Sequence, residues 1–418
     1  MPAGKAGSPS HPIPPCPARA GQALLGDEGA RPHDPASLPE GPTMPNFWNR
    51  FKSAALVSRP ESTMSESTAV ASRTEDHQGA LEDPLRVSPD GPVVAYALSH
   101  ETYTVPELLE YGAAAERAGF RMAWTSDHFQ PWQDNQGHSG LAWVTLAALS
   151  QRTTHLAMGT GVTCPTFRYL PAIVAEAWAS LSHLAPGRVF LGLGTGENLN
   201  EGASGGGWGK YRERSERLIE AVKIIRALWT GERVKFKGKF WEVDARLYDK
   251  PASPIPIYIA AGGPKSARIA GLYGDGIIAE GGPLGSNPLY KAAWEEGARE
   301  SGKDPANLPI VVELYAVVGG EREARQSADL WHFTPRAWKQ GYFDEVDPLR
   351  IQQKAEREIP LEDVYRDWPV GTDPEVHLKA IREIAARGAT HVVITTATPN
   401  QREVIEFYGK KVLPALKS

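Results

Sequence analysis

Residues 188–201 read Arg188-Val189-Phe190-Leu191-Gly192-Leu193-Gly194-Thr195-Gly196-Glu197-Asn198-Leu199-Asn200-Glu201. A short apolar, β-branched run, Val189–Leu193, breaks into glycines and a carboxylate. Further on, Tyr211–Trp229 (YRERSERLIEAVKIIRALW) repeats its apolar residues every three or four positions, the period of an amphipathic helix. The unit is strand, glycine-rich loop, helix.

The same unit recurs to either side. Strands are expected before it at Val93–Leu98, Arg121–Ser126 and His155–Thr160, and after it at Ile257–Ala261, Gly276–Ala279, Pro309–Val318 and His391–Thr396. Helices are expected at Val105–Ala118, Leu141–Ser150, Pro171–Leu184, Lys265–Tyr273, Tyr290–Ser301, Arg322–Trp331, Glu375–Arg387 and Arg402–Leu413. Val234–Val243 (VKFKGKFWEV) reads as a β-hairpin insertion turning at Lys237-Gly238, and residues 333–370 as an irregular insertion with helical pieces. Eight strand–helix alternations predict an α/β protein of the (β/α)8 TIM-barrel type, with insertions. A doubly wound open sheet is the alternative, and nothing supplies its nucleotide fingerprint.

Composition narrows the function classes. The chain has 418 residues, 41% hydrophobic and 23% charged, with a formal charge of −5. Its basic and acidic residues are interspersed, so no nucleic-acid or membrane surface is expected. No apolar run approaches the roughly 20 residues that span a bilayer. Two cysteines, Cys16 and Cys164, cannot build a disulfide framework, and a reducing, cytoplasmic compartment is expected. Residues 1–50 hold 11 of the 35 prolines, so residues 1–88 are expected to be a disordered extension and 89–418 the barrel. No secretory signal is read there, and Met44 and Met64 are candidate downstream starts.

Chemistry in such a barrel sits at the C-terminal ends of the strands. Glu101 follows the first strand. Asp127-His128 follows the second, with Trp132 close behind. Gly159–Thr163 ends the third, Gly194-Thr195-Gly196-Glu197 the fourth, and Gly262-Gly263-Pro264 the next barrel strand. Glycines at three strand ends suit a flat ring lying against the backbone. Each motif also has a plain structural reading. GLGTG lacks a complete GxGxxG pattern and can be a tight turn. From the residues alone, His128 reads either as a buried core histidine or as a catalytic one. Glu197 can neighbour a helix cap, and Trp143 reads better as a core aromatic. No HExxH and no Cys–His spacing is present, so no metal site is expected; GxSxG is absent too.

Taken together, Ser126-Asp127-His128-Phe129-Gln130-Pro131-Trp132, Gly159-Thr160, Pro165-Thr166-Phe167-Arg168-Tyr169, Gly194-Thr195-Gly196-Glu197 and Ala260-Ala261-Gly262-Gly263-Pro264 closely resemble the coenzyme F-420-dependent glucose-6-phosphate dehydrogenase group of the luciferase-like superfamily. Gln133-Asp134-Asn135, Gly137-His138-Ser139, Gly161-Val162-Thr163-Cys164-Pro165 and Gly371-Thr372-Asp373-Pro374 resemble its hydroxymycolic acid dehydrogenase branch. The likeness covers about residues 93–415.

The resemblance implies the cofactor, a deazaflavin that carries hydride and has a polyglutamate tail. It assigns Asp127, Gly161, Val162, Thr163, Cys164, Thr195, Gly196, Asn200, Gly262, Gly263, Lys265 and Ser266 to holding it. Cys164 replaces a family threonine, and neighbouring Thr163 is expected to substitute. A non-proline cis peptide is implied at Gly161–Val162. His128 becomes the base for the substrate hydroxyl, and Glu197 the group that protonates the ring nitrogen or steadies its charge. Trp132 covers the reacting face, and Glu101 orients His128.

The family's phosphate-binding positions become Glu280, Pro283 and Asp367, with Lys339 near the fourth, at Tyr342. Acidic replacements repel a phosphate, so the substrate is expected to be an unphosphorylated alcohol or sugar. The alternatives are glucose-6-phosphate oxidation, carbonyl reduction by reduced F-420, an FMN-dependent monooxygenase, and a non-catalytic cofactor store. A homodimer is expected.

Overall fold

The structure, a computed structural model, describes residues 83–416. The greater part of the expected disordered extension lies outside the described residues. Its last residues do not, and they belong to the barrel, as shown below.

Eight parallel strands form the barrel: β1 (Val93–Leu98), β2 (Met122–Thr125), β3 (Ala157–Thr160), β4 (Leu191–Leu193), then, after the hairpin β5 (Val234–Lys237) and β6 (Glu242–Ala245), β7 (Ile257–Ala261), β8 (Gly276–Ala279), β9 (Ile310–Tyr315) and β10 (His391–Thr395). Their order around the sheet is β3-β2-β1-β10-β9-β8-β7-β4. Bridges from Met158 to Val189 and from Thr163 to Leu193 join its two edges and close the ring. Glycine permits the closure. A Cβ on Gly192 would fall 1.8 Å from the Thr160 carbonyl oxygen, and one on Gly159 would fall 2.3 Å from that of Phe190. Those two glycines therefore serve strand packing rather than a ligand. β4 is shorter than the sequence suggests, since Val189 makes only an isolated bridge.

Side chains alternate along each strand. Val94, Tyr96 and Leu98 face the helices, in the large outer core. Val93, Ala95, Ala97, Met122, Trp124, Phe190, Tyr258, Val311 and Val393 fill the barrel interior. Leu85 joins this inner cluster, and its carbonyl accepts a hydrogen bond from Tyr258 Oη at 2.7 Å. The Pro84 carbonyl lies 2.9 Å from His391 Nε2, at the start of β10. The segment thus plugs the N-terminal end of the barrel, and a boundary at residue 88 falls a few residues too late.

The hairpin turns later than Lys237-Gly238: Gly238 N donates to Trp241 O, and the second strand begins at Glu242. The cause is Glu220, on the helix Tyr211–Trp229, whose carboxylate accepts from Lys239 N and Phe240 N. Near the C-terminus, the expected single helix is α-helical over Gln401–Phe407 and widens to a π-helix over Tyr408–Val412.

The insertion after β9 carries helices at Pro348–Glu358 and Leu361–Tyr365. It builds a second apolar cluster, including Trp331, Phe333, Tyr342 and Ile351, into which Trp132 and Leu199 from the barrel-mouth loops pack.

Candidate active site

The loops after β1, β2 and β4 bring three sequence-predicted groups together. Ser126 Oγ donates to Glu101 Oε2 at 2.5 Å, and Glu101 Oε1 faces His128 Nε2 at 3.6 Å. On the other side of the imidazole, Nδ1 lies 3.2 Å from both the Gln130 carbonyl and Asn200 Nδ2. Asn200 Oδ1 accepts from Phe129 N at 2.8 Å, which fixes the amide with its NH2 toward His128. The same NH2 lies 3.2 Å from Glu197 Oε2.

Two tautomers of His128 are therefore built in. With hydrogen on Nδ1, the ring donates to Gln130 O and leaves the Nε2 lone pair open. With hydrogen on Nε2, the ring accepts from Asn200 and presents its N–H to Glu101. The fully satisfied core histidine of this region is His100, which bonds Thr145 Oγ1 and the Ser126 carbonyl. The His128 side chain keeps 11% of its surface accessible.

Glu197 is held from below. Its backbone N donates to Glu201 Oε2 at 3.0 Å, and Arg214 Nη1 donates to the Gly196 carbonyl at 3.0 Å. Gly196 has φ +88°, and a Cβ there would meet the Glu201 carboxyl at 2.6 Å. Glu201 is fully buried. Desolvation first, and the Glu197 charge second, push its carboxyl up to about 8, against an opposing pull from Arg168.

Other predicted residues sit behind the site wall. Asp127 is buried, and its two oxygens accept from Thr163 Oγ1 (2.6 Å), Trp143 Nε1 (3.1 Å), Tyr169 Oη (3.0 Å) and Arg168 Nη2 (3.1 Å). Its carboxylate is saturated within the protein, so it clamps the loop that carries His128. Thr163 Oγ1 gives its proton to Asp127. Cys164 is buried too, and desolvation drives its thiol well up. Asn200 uses both ends of its amide internally, as described above.

The remaining cofactor set is open. The Gly161–Val162 peptide is cis, and Gly161 packs on the Trp124 ring. Thr195 is half-buried, and its hydroxyl has no partner among the described residues. Gly262 is exposed, and nothing lies within 4 Å of a Cβ built on Gly263. Gly263 caps the helix Pro264–Tyr273, where Ser266 Oγ closes on Gly263 N and O and exposed Lys265 adds a positive charge. A helix N-terminus beside a lysine suits an anionic tail. This donor set fits a flat ring with such a tail.

At the rim, Trp132 is stacked on Phe333 (4.6 Å, 18°) and meets Trp338 edge-on (6.2 Å). Beside Trp338, burial pushes the Glu280 carboxyl up to about 7. Lys339 and Asp367 are exposed on the insertion, with no contact to the groups above. The sequence reading passed over Phe333, Trp338, Tyr315, Glu313 and Thr395. A signal for Glu313 was available: a lone carboxylate inside Ile310-Val311-Val312-Glu313-Leu314-Tyr315.

The fold and mouth define a class: a (β/α)8 barrel that brings a histidine and two carboxylates together at the C-terminal ends of its strands. Residues 92–391 match the luciferase-like monooxygenase family, and the chain belongs to that family. It is 48% identical to the F420-dependent hydroxymycolic acid dehydrogenase of Mycobacterium tuberculosis, over 78% of this chain and 88% of that protein. It is 39% identical to the F420-dependent glucose-6-phosphate dehydrogenase of Mycolicibacterium gilvum, over 78% of this chain and 98% of that one. Its fold superposes on an F420-dependent secondary alcohol dehydrogenase, solved with an F420-acetone adduct, with TM-score 0.73 and 31% identity, over 78% of this chain and all of that one.

Proposed function

We propose that this protein is an F420-dependent dehydrogenase that passes hydride from a hydroxyl-bearing carbon of an unphosphorylated alcohol or sugar to the deazaflavin. The observation that carries the reading is the convergence of His128, Asn200 and Glu197, in a chain 48% and 39% identical to two F420-dependent dehydrogenases. When bound, the deazaflavin supplies the two-electron acceptor. The residues do the rest. His128 Nε2, with Nδ1–H on Gln130, takes the hydroxyl proton as the C–H bond gives up hydride. Glu101 steadies the resulting imidazolium. Glu197 delivers a proton to the ring nitrogen or balances its charge. One proton and one hydride leave the alcohol, and a carbonyl forms.

Gly161, Val162, Thr195, Gly196, Gly262, Gly263, Lys265 and Ser266 hold the cofactor in this reading, and Trp132 walls the reacting face. Glu280 disfavours a phosphate at the rim. Lys339 and Asp367, exposed on the insertion, are the further candidates for contacting substrate in this reading.

A homodimer suits the exposed apolar Leu141, Val144, Leu170 and Ile173, at the starts of two adjacent helices. A cytoplasmic location suits the free, buried Cys164. The test is a panel of alcohols, sugars and sugar phosphates, followed by loss of oxidised F420 absorbance, with FMN as the control cofactor. Turnover with FMN alone, or none with F420 on any hydroxyl donor, overturns the reading.

A further inference from the structure

Glu313 sits one inward layer above Val311, on β9. Its register partner is Val393, and Thr395 Oγ1 donates to Glu313 Oε1 at 2.6 Å. Protein surrounds Glu313, yet the residue stays accessible on the inward face of β9, toward the C-terminal end of the barrel. Desolvation, reinforced by the Glu101 charge and opposed by the Thr395 bond, pushes this carboxyl up to about 7. It thus offers both a donor and an acceptor near neutrality. Tyr315, two residues on along β9, stacks on Trp368 (5.2 Å, 13°).

Ring order places this wall. β9 lies across the barrel from β3, and β10 lies across from β4. The Gly161–Val162 peptide and the Gly194–Glu197 loop follow β3 and β4. A planar cofactor held on that side would have Glu313 and Thr395 across the barrel from it. His128 and Glu101 follow β2 and β1, between the two walls. A substrate whose reacting hydroxyl meets His128 extends its remaining atoms toward β9.

We infer that Glu313, seated by Thr395, is a specificity-determining residue that binds a second hydroxyl of the substrate, so that the favoured class is a neutral compound with a hydroxyl beyond the reacting one. This deepens the proposed function and rests on it. Burying a polar site built for a hydroxyl rejects the analogue that lacks it, because the carboxyl is then left unpaired.

The experiment compares 1,2-propanediol with 2-propanol on the F420-loaded full chain, in wild type, Glu313→Gln and Glu313→Leu. The wild type is expected to favour the diol in kcat/KM by about 10- to 100-fold. Glu313→Leu should erase that preference while 2-propanol turnover and F420 affinity stay near wild type, and Glu313→Gln should keep part of it. A second readout needs no turnover: quenching of tryptophan fluorescence by hydroxyacetone and acetone on the cofactor-free protein. Hydroxyacetone binding alone should weaken about tenfold in Glu313→Leu. An unchanged diol preference and hydroxyacetone affinity overturn the inference, as does uniform loss on both alcohols together with F420 binding. Absence of any oxidation by the wild type, with hydroxyacetone binding still dependent on Glu313, strikes the proposed function and leaves the subsite standing.

Discussion

Asn200 holds His128 by the ring nitrogen that does not face Glu101: its Nδ2 lies 3.2 Å from Nδ1. The amide cannot turn over without losing the Phe129 N–H at 2.8 Å. Asn200 therefore competes with the Gln130 carbonyl for the tautomer, and only the Gln130 partnership leaves Nε2 ready to accept a proton. Asn200→Ala is expected to lower turnover by about 10- to 100-fold and to alter the pH profile of kcat, because it removes the amide that holds Glu197, a loss that outweighs relief of the competition for His128 Nδ1. F420 affinity should change little. A selective loss of F420 binding with normal kcat at saturation would make Asn200 a cofactor contact instead.

His128→Ala and Glu197→Gln should each cut turnover by roughly 10²–10⁴ with F420 affinity nearly intact, because both act on proton movement. Stopped-flow measurement of the hydride step separates this from slow product release. Near-normal turnover in His128→Ala would remove the base from the mechanism.

Much of this was legible in the sequence. Val105–Ala118, Pro171–Leu184 and Tyr211–Trp229 occupy the expected bounds because a helical period meets a clear stop at each. Gly119, for example, ends the first with φ 98°. His128 and Glu197 stood out as candidates because glycines and ionisable groups collect at successive strand ends, and the family resemblance gave them their roles. What stayed hidden depends on the third dimension. Nothing local distinguishes Asp127 as a saturated clamp from Asp127 as a ligand; Thr163, Tyr169, Trp143 and Arg168 converge on it only after folding. Gly159 and Gly192 look like ligand-facing glycines until the ring closes on them.

Leu85 is the seal at the bottom of the barrel. A chain beginning just ahead of Asp83 should melt with the full-length protein. One beginning at Val87 loses the plug and the carbonyl that receives Tyr258 Oη, and should melt several degrees lower. Leu85→Ala alone should cost about 2–5 kcal/mol in denaturant titration, the usual range for a buried leucine. Equal stability of the two truncated chains would place the boundary after the plug.

Glu201 gives the fold a pH signature. Its folded carboxyl titrates at about 8, above its ordinary value of 4.5. The folded state therefore binds the proton more tightly than the unfolded chain. Its favourable share is complete below the ordinary value and is lost as pH rises through the range up to about 8. Glu201→Gln, which keeps an acceptor for Glu197 N, should flatten that part of the stability curve. Denaturation midpoints from pH 5 to 9 in both proteins decide it; parallel curves would mean that another group carries the dependence.

Substrate charge is the last consequence. Glu280 stands at the rim beside Trp338, with its carboxyl close to Gly262: a Cβ there would meet Oε1 at 2.9 Å. A phosphate brought to this corner meets a carboxylate once pH exceeds about 7, and no cation pairs with that carboxylate among the described residues. Glucose-6-phosphate should therefore be a poor substrate beside neutral alcohols, and poorer still as pH rises. Combining Glu280→Thr, Pro283→Lys and Asp367→Arg removes two negative charges and adds two positive ones. Each charge-assisted contact to phosphate contributes about 1.5–3 kcal/mol, so phosphosugar kcat/KM should rise by one order of magnitude or more. Steady-state kinetics on glucose and glucose-6-phosphate in both proteins read the effect. Asp367 is exposed on the insertion, so Glu280→Thr with Pro283→Lys should supply the larger part. Efficient oxidation of glucose-6-phosphate by the unaltered protein would show that the rim charges do not set the choice of substrate.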